Sequence, residues 1–153
     1  MVAALLAVAV VVAGVLLAGR GPSARGRRAQ VVALSDRFAV ALGSYDFHHL
    51  PQDLAAVEAL STRGFAKQYV SELNVQSFQQ RLVANQSVAR ASVARGPFVA
   101  ALNRDQADTL TVINQTLTGS AYPTPVTRTT RVELDMVHTA AGWRVDQVDV
   151  SGS

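Results

Sequence analysis

Residues 127–138 read TRTTRVELDMVH, and the alternation within them decides the fold. Val132, Leu134 and Met136 project to one side and Arg131, Glu133 and Asp135 to the other, which predicts a β-strand with one buried and one wet face. The tight link Ala140, Ala141, Gly142 leads into WRVDQVDV, residues 143–150. Trp143 and Val145 share a face there, and a bulge near Asp146 or Gln147 returns Val148 and Val150 to it.

Upstream of this hairpin the chain is also β-branched. Residues 108–117, DTLTVINQTL, predict a strand. Gly119, Pro123 and Pro125 mark residues 118–125 as the connection that follows. Residues 88–102 predict a long, bent strand, because Gly96 and Pro97 interrupt it and call for a bulge or an edge position. Before Val83 the period changes to that of helices. Val31, Leu34, Phe38 and Tyr45 recur at helical spacing over residues 29–45, and Pro51 opens a short second helix through Leu60. Thr62 is a suitable N-cap for a third, in which Phe65, Tyr69 and Leu73 stack one turn apart. The apolar phase slips near Asn74, where a bend is expected. Three helices followed by about four antiparallel strands make an α+β domain, with a curved sheet wrapped around the helices.

The other end of the chain is of a different kind. Residues 2–18 run VAALLAVAVVVAGVLLA, seventeen residues without a charged or hydrogen-bonding side chain. At about 1.5 Å per residue they extend roughly 25 Å, near the lower limit for a hydrocarbon core of about 30 Å. A secretory signal would carry a basic leader and small residues at its cleavage site, but here Met1 stands alone and Leu16 spoils the site after Ala18. A core helix would show a polar face. The expected organisation is a transmembrane anchor over 1–21, a basic juxtamembrane linker over 22–28 and the α+β domain over 29–153. Arg20, Arg25, Arg27 and Arg28 are placed to meet lipid headgroups. The positive-inside rule, applied to these arginines, would hold the domain in the cytoplasm.

Four of the 14 basic residues precede Ala29 and no acidic residue does, which leaves 10 against 11 acidic residues in the domain, a net of −1. The folded part therefore lacks the excess positive charge of a phosphate-binding surface, and no nucleic-acid partner is expected. The chain has no cysteine, which excludes disulfides, thiol catalysis and thiolate metal sites.

Few residues invite chemistry. His48 and His49 are adjacent and cannot lie one turn apart on a helix, so no metal is expected. No nucleophile elbow or phosphate loop occurs, and neither catalytic residues nor a cofactor are implied. Tyr45, Asp46, His138 and Trp143 are the candidates for an interior pocket, with a phenol beside a carboxylate as the acid–base pair. The plainer reading makes Tyr45 a packing residue, Asp46 a turn former and Trp143 the largest side chain of the core. Asn114, Gln115 and Thr116, with Pro123 and Pro125, are candidates for a docking edge. Solvent exposure is the plainer account of the first three.

The ordered set of elements resembles the Mce-associated membrane proteins, small actinobacterial partners of the mammalian-cell-entry lipid transporters. Tyr45, Asp46 and Phe47, then Asp53 and Leu54, stand where that family ends its first helix and begins its second. Thr62, Phe65 and Tyr69 match its third helix, Asn114, Gln115 and Thr116 with Pro123 to Pro125 its hairpin, and Gly142, Trp143 and Val145 its last strand. Gly96-Pro97 and the missing basic leader depart from its pattern. The resemblance implies a cone similar to the nuclear-transport-factor-2 and SnoaL folds. It also implies a non-enzymatic, single-pass accessory subunit in the cell membrane, with its domain on the outer face. The implied partners are lipid-carrier and permease subunits, membrane lipid through the anchor, and a second copy of the chain. Two alternatives stand beside it. A scaffold of a type IV secretion or conjugation complex shares both anchor and cone, and a tethered SnoaL-like enzyme would need Tyr45, Asp46 or His138 in a polar pocket.

Overall fold

The computed structural model describes residues 23–152, so the expected anchor over 1–21 and Arg20 lie outside the described residues. Among those described, no helix is long and apolar enough to cross a membrane. Helix α1 spans Ala24–Gly43. It begins earlier than the apolar spacing suggests because Ser23 caps it, the Ser23 hydroxyl accepting the Gly26 N–H at 3.1 Å. Arg25, Arg27 and Arg28 are thereby part of the first turns of the helix.

Helix α2 covers Leu50–Ala59, with Pro51 in its first turn. The expected third helix is two: α3, Arg63–Leu73, and α4, Val75–Ala84. The break is Asn74, in the left-handed region at φ 46°, which ends one helix and caps the next. Asparagine tolerates this conformation better than other residues with a side chain, which explains the slip in apolar phase.

Five strands form one antiparallel sheet in chain order: β1 Tyr45–Asp46, β2 Val88–Leu102, β3 Gln106–Gly119, β4 Tyr122–Thr139 and β5 Gly142–Gly152. The fifth strand beyond the expected four is β1, two residues that pair with Val88 and Ala89. β2 shifts register three times along β3, in keeping with the expected bend, and its Gly96-Pro97 bond is cis. The long connection expected over 118–125 is instead a tight turn at Ser120 and Ala121. Pro123 and Pro125 are strand residues, tolerated because β5 pairs with β4 only from Thr130 onward. The missing proline N–H groups thus fall on an unpaired stretch of edge.

The inner face of the sheet carries Ala107, Thr109, Thr111 and Ile113 from β3, Val132, Leu134 and Met136 from β4, and Trp143 and Val145 from β5, all buried. Against it lies the face of α1 formed by Val31, Leu34, Phe38 and Ala39. The Phe38 ring meets that of Phe65 edge to face at 5.9 Å, which ties α3 to the same core. A polar contact sits inside: the Ser35 and Thr109 hydroxyls are 2.7 Å apart and buried. The predicted bulge is present, since Asp135 pairs with Gln147 and Met136 with Val145, leaving Asp146 extra. Val148 returns to the core as expected. Val150 returns to the inner side, opposite Val132, yet stays 53% exposed because none of the described helices covers that corner.

Gly43 ends α1 where helix and sheet come closest. A Cβ there would stand 2.7 Å from both Ala91 Cβ and Ile113 Cδ1. Gly43→Ala is expected to cost about 1–3 kcal/mol by overpacking, whereas Gly64→Ala, inside helix α3 with only the Thr62 hydroxyl at 3.8 Å, should leave stability unchanged or raise it by up to about 1 kcal/mol. Urea unfolding of both variants measures the contrast, and equal losses would contradict this packing.

Candidate docking surface and interior cavity

The four candidate pocket residues divide between opposite ends of the sheet. Tyr45 belongs to the strip Tyr45, Ala89, Leu117, Val126 that crosses four strands, whereas His138 pairs with Trp143 at the far hairpin. Val126 and His138 are twelve residues apart along β4, or about 40 Å at the rise of an extended strand. A single pocket cannot hold both groups. His138 is exposed and its ring meets Trp143 edge to face at 5.2 Å. Trp143 is 4% exposed, and its Nε1 has no partner among the described residues.

Tyr45 does line a cavity of about 130 Å³ between the helices, together with Asp53, Leu54, Tyr69 and Phe78. Burial pushes the Tyr45 phenol up from its usual value, with Tyr122 adding to the shift and Arg128 opposing it, and burial does the same to Tyr69. Both phenols are held protonated and act here as packing groups, Tyr45 edge to face on Phe78 and Tyr69 stacked on Phe65. Asp46 is occupied elsewhere. Its Oδ1 accepts the His48 N–H at 2.9 Å and lies 2.9 Å from His48 Nδ1, and its own N–H donates to Asp53 Oδ2 at 2.8 Å. The carboxylate closes a turn, as the plainer reading has it. Asp53, named from the sequence only for the resemblance and not as a pocket residue, is the acid that reaches the cavity; its place in the first turn of α2 is the available signal.

The candidate edge is likewise redistributed. Asn114, Gln115 and Thr116 lie in β3, paired by β2 on one side and β4 on the other, so their backbone offers no free edge. Asn114 and Thr116 join a polar ladder on the outer face with Thr129 and Thr127. Gln115 points inward and donates to the Gly43 carbonyl at 2.8 Å, fixing the end of α1. Pro123 and Pro125 lie on the stretch of β4 that outruns β5 and withhold donors from it. Among the arginines of the first turns, Arg25 and Arg28 are exposed.

The open edge belongs to β5, which the sequence does not distinguish as an edge. The Val145 N–H donates to the Leu60 carbonyl at 3.0 Å, and its carbonyl accepts the Thr62 N–H at 2.8 Å. That parallel bridge covers only the first part of the strand. Beyond Asp146, a groove of about 620 Å³ opens between β5 and the Phe65, Gln68, Tyr69 and Glu72 face of α3. Negative charge gathers on the adjoining outer face: partial loss of solvent, then Asp108, Asp146 and Glu133, raises the pKa of Asp135. Among the described residues no group of three or more His, Asp or Glu is placed to hold a metal.

No protein-family model matches the chain, and no curated protein sequence does. Solved structures do match. An IcmL-like type IV secretion system protein from Legionella pneumophila superposes with a TM-score of 0.71 at 15% identity, over 88% of this chain and 96% of that one. The periplasmic domain of DotI gives 0.67 at 15% identity over 88% and 99%, and VirB8 of Agrobacterium tumefaciens gives 0.65 at 14% over 87% and 97%. At these identities what is shared is the fold.

These matches overturn the resemblance to Mce-associated proteins, and with it the actinobacterial lipid-import role and the lipid-carrier and permease partners. The quoted residues are the cause: Thr62, Phe65, Gly142, Trp143 and Val145 are cap, core and turn positions that any cone of this build requires.

The turn at Asp46 yields a pH signature. Bonds from the His48 backbone, then from its ring, hold the Asp46 carboxyl below its usual range. The resulting stabilisation is complete above the unfolded value of about 3.9 and is lost as pH falls through the lower folded value. Asp46→Asn should therefore melt below wild type at neutral pH, by a gap that closes in acid. Thermal melts at a series of pH values test this; a gap independent of pH would refute it.

Proposed function

We propose that the chain is a non-enzymatic scaffold subunit of a type IV secretion or conjugation-type envelope complex, with its folded domain on the outer face of the membrane. The observation that carries this reading is the extent of the structural match. Nearly the whole of each neighbour, 96–99% of its length, is accounted for by this one chain. The fold alone is a weak warrant for function, since cones also carry enzymes. What favours the scaffold over the enzyme is the separation of Tyr45 from His138 and the engagement of Asp46 in its own turn. The DotI fragment is described as a periplasmic domain, which supports the outward orientation over the one that Arg20, Arg25, Arg27 and Arg28 would dictate by charge alone.

Two measurements test the proposal. A tagged full-length chain, extracted from native membranes, should bring down the ATPases of a secretion system, and deletion of its gene should abolish substrate transfer. Recovery of lipid-carrier subunits, or transfer unaffected by the deletion, would reject it. Because the chain has no cysteine, Ser120→Cys supplies a single thiol on an exposed turn. A membrane-impermeant maleimide should label it in intact cells, or in spheroplasts where an outer membrane intervenes; labelling only after lysis would place the domain inside.

A further inference from the structure

The free part of β5 lies between a covered segment and the end of the strand. At Val145 the edge already holds a backbone partner, the Leu60–Thr62 segment. The extra residue at Asp146 shifts the phase by one, so the next inner-face residues, Val148 and Val150, turn their N–H and carbonyl groups to the same open edge. These groups have no partner among the described residues. The neighbouring stretch of β4 is blunted by Pro123 and Pro125, but residues 147–152 of β5 contain no proline.

The surroundings select what could pair there. Side chains of an added strand would alternate, and those on the inner side would enter the groove beside α3. Glu72 and Asp146 are the charged residues lining that groove, both acidic, and Val150 stands exposed two residues past Val148. Arg63 and Lys67 are on α3 but do not line it. We infer that the β5 edge and the α3 groove take up an extended segment of another protein, bearing a lysine or arginine beside Glu72 and Asp146 and, two residues away, an aliphatic residue against Val150. A second copy of β5 is a poor occupant: its residues 147–152 bring one aspartate and no basic group. The inference concerns the edge itself and stands whether or not the complex is of the secretion type.

The probes are two capped pentapeptides, Thr-Lys-Thr-Val-Thr and its reversed sequence, which cover both strand directions. They are titrated to roughly millimolar concentration into the ¹⁵N-labelled full chain in detergent micelles. One of them should shift the amide resonances of Val148, Val150 and Phe65–Glu72. Glutamate in place of the lysine should weaken binding by about tenfold or more, and Glu72→Lys should reverse that preference. Val150→Pro removes an N–H that faces the open edge and not β4, so it should abolish binding while leaving the remaining amide spectrum and the melting temperature near wild type. Absence of shifts with both peptides, equal affinity for the lysine and glutamate forms, or undiminished binding by a folded Val150→Pro variant would each overturn the inference. So would concentration-dependent broadening of β5 without peptide, which would put a second copy on the edge.

Discussion

Helix α1 lies across the inner face of the sheet, and that single contact organises the other elements. Val31, Leu34, Phe38 and Ala39 are each at most 2% exposed, and burying a side chain the size of valine, leucine or phenylalanine is worth about 1.5–3 kcal/mol. The contact also fixes position. Ser35 meets Thr109 inside the apolar layer, and because an unmatched buried hydroxyl is costly, sliding the helix along the sheet would break a pair that hydrophobic contact alone would not define. At the end of α1 the close approach of Gly43, with Gln115 donating to its carbonyl, locks the helix above β3. The remaining helices then close the open side, α3 through Phe65 against Phe38 and α2 through Val57.

Much of this was legible because period-2 and period-3.6 patterns are strong where one face is buried and the other wet. Val132, Leu134 and Met136 are all within 1% of complete burial, while Arg131, Glu133 and Asp135 are exposed. Asn74 was read as a bend and is a break between helices, the same event at a different amplitude. Residues 118–125 misled because proline and glycine signal a turn wherever they occur, and only the relative lengths of β4 and β5 show that proline can continue a strand there. The candidate site was less legible for a related reason. Distance along a sheet depends on register, and nothing local to Tyr45 or His138 tells that they fall at opposite ends of the sheet.

The resemblance drawn from the sequence failed in an instructive way. Its matching residues are the ones a curled sheet with a long packed helix needs for mechanical reasons: a threonine cap, aromatic residues one turn apart, and a glycine turn before a tryptophan strand. Gly142 adopts φ +94° at the β4–β5 turn, a conformation that favours glycine in any protein with this hairpin. Such positions report architecture and are therefore shared across unrelated functions. Surface residues would discriminate, but they carry no internal pattern from which one sequence can be read.

That leaves the edge, a part of the sheet that the fold itself must manage. A sheet closed on itself has no edge, and a curled sheet that stops short of closure must cover or blunt what remains. Here one edge is met by β1, α1 and Ser44, whose hydroxyl accepts the Ala91 N–H. The other is bridged at Val145, carries proline on the stretch of β4 that outruns β5, and is open on β5 beyond the bulge at Asp146. The bulge decides which residues line the opening: without the extra residue, Gln147 and Asp149 would turn their backbone groups to it, Val148 and Val150 would face outward with their side chains, and Val148 would be lost from the core. The same insertion that completes the packing of β5 thus puts the open backbone groups on Val148 and Val150, the residues whose side chains face the inner side beside an acidic groove.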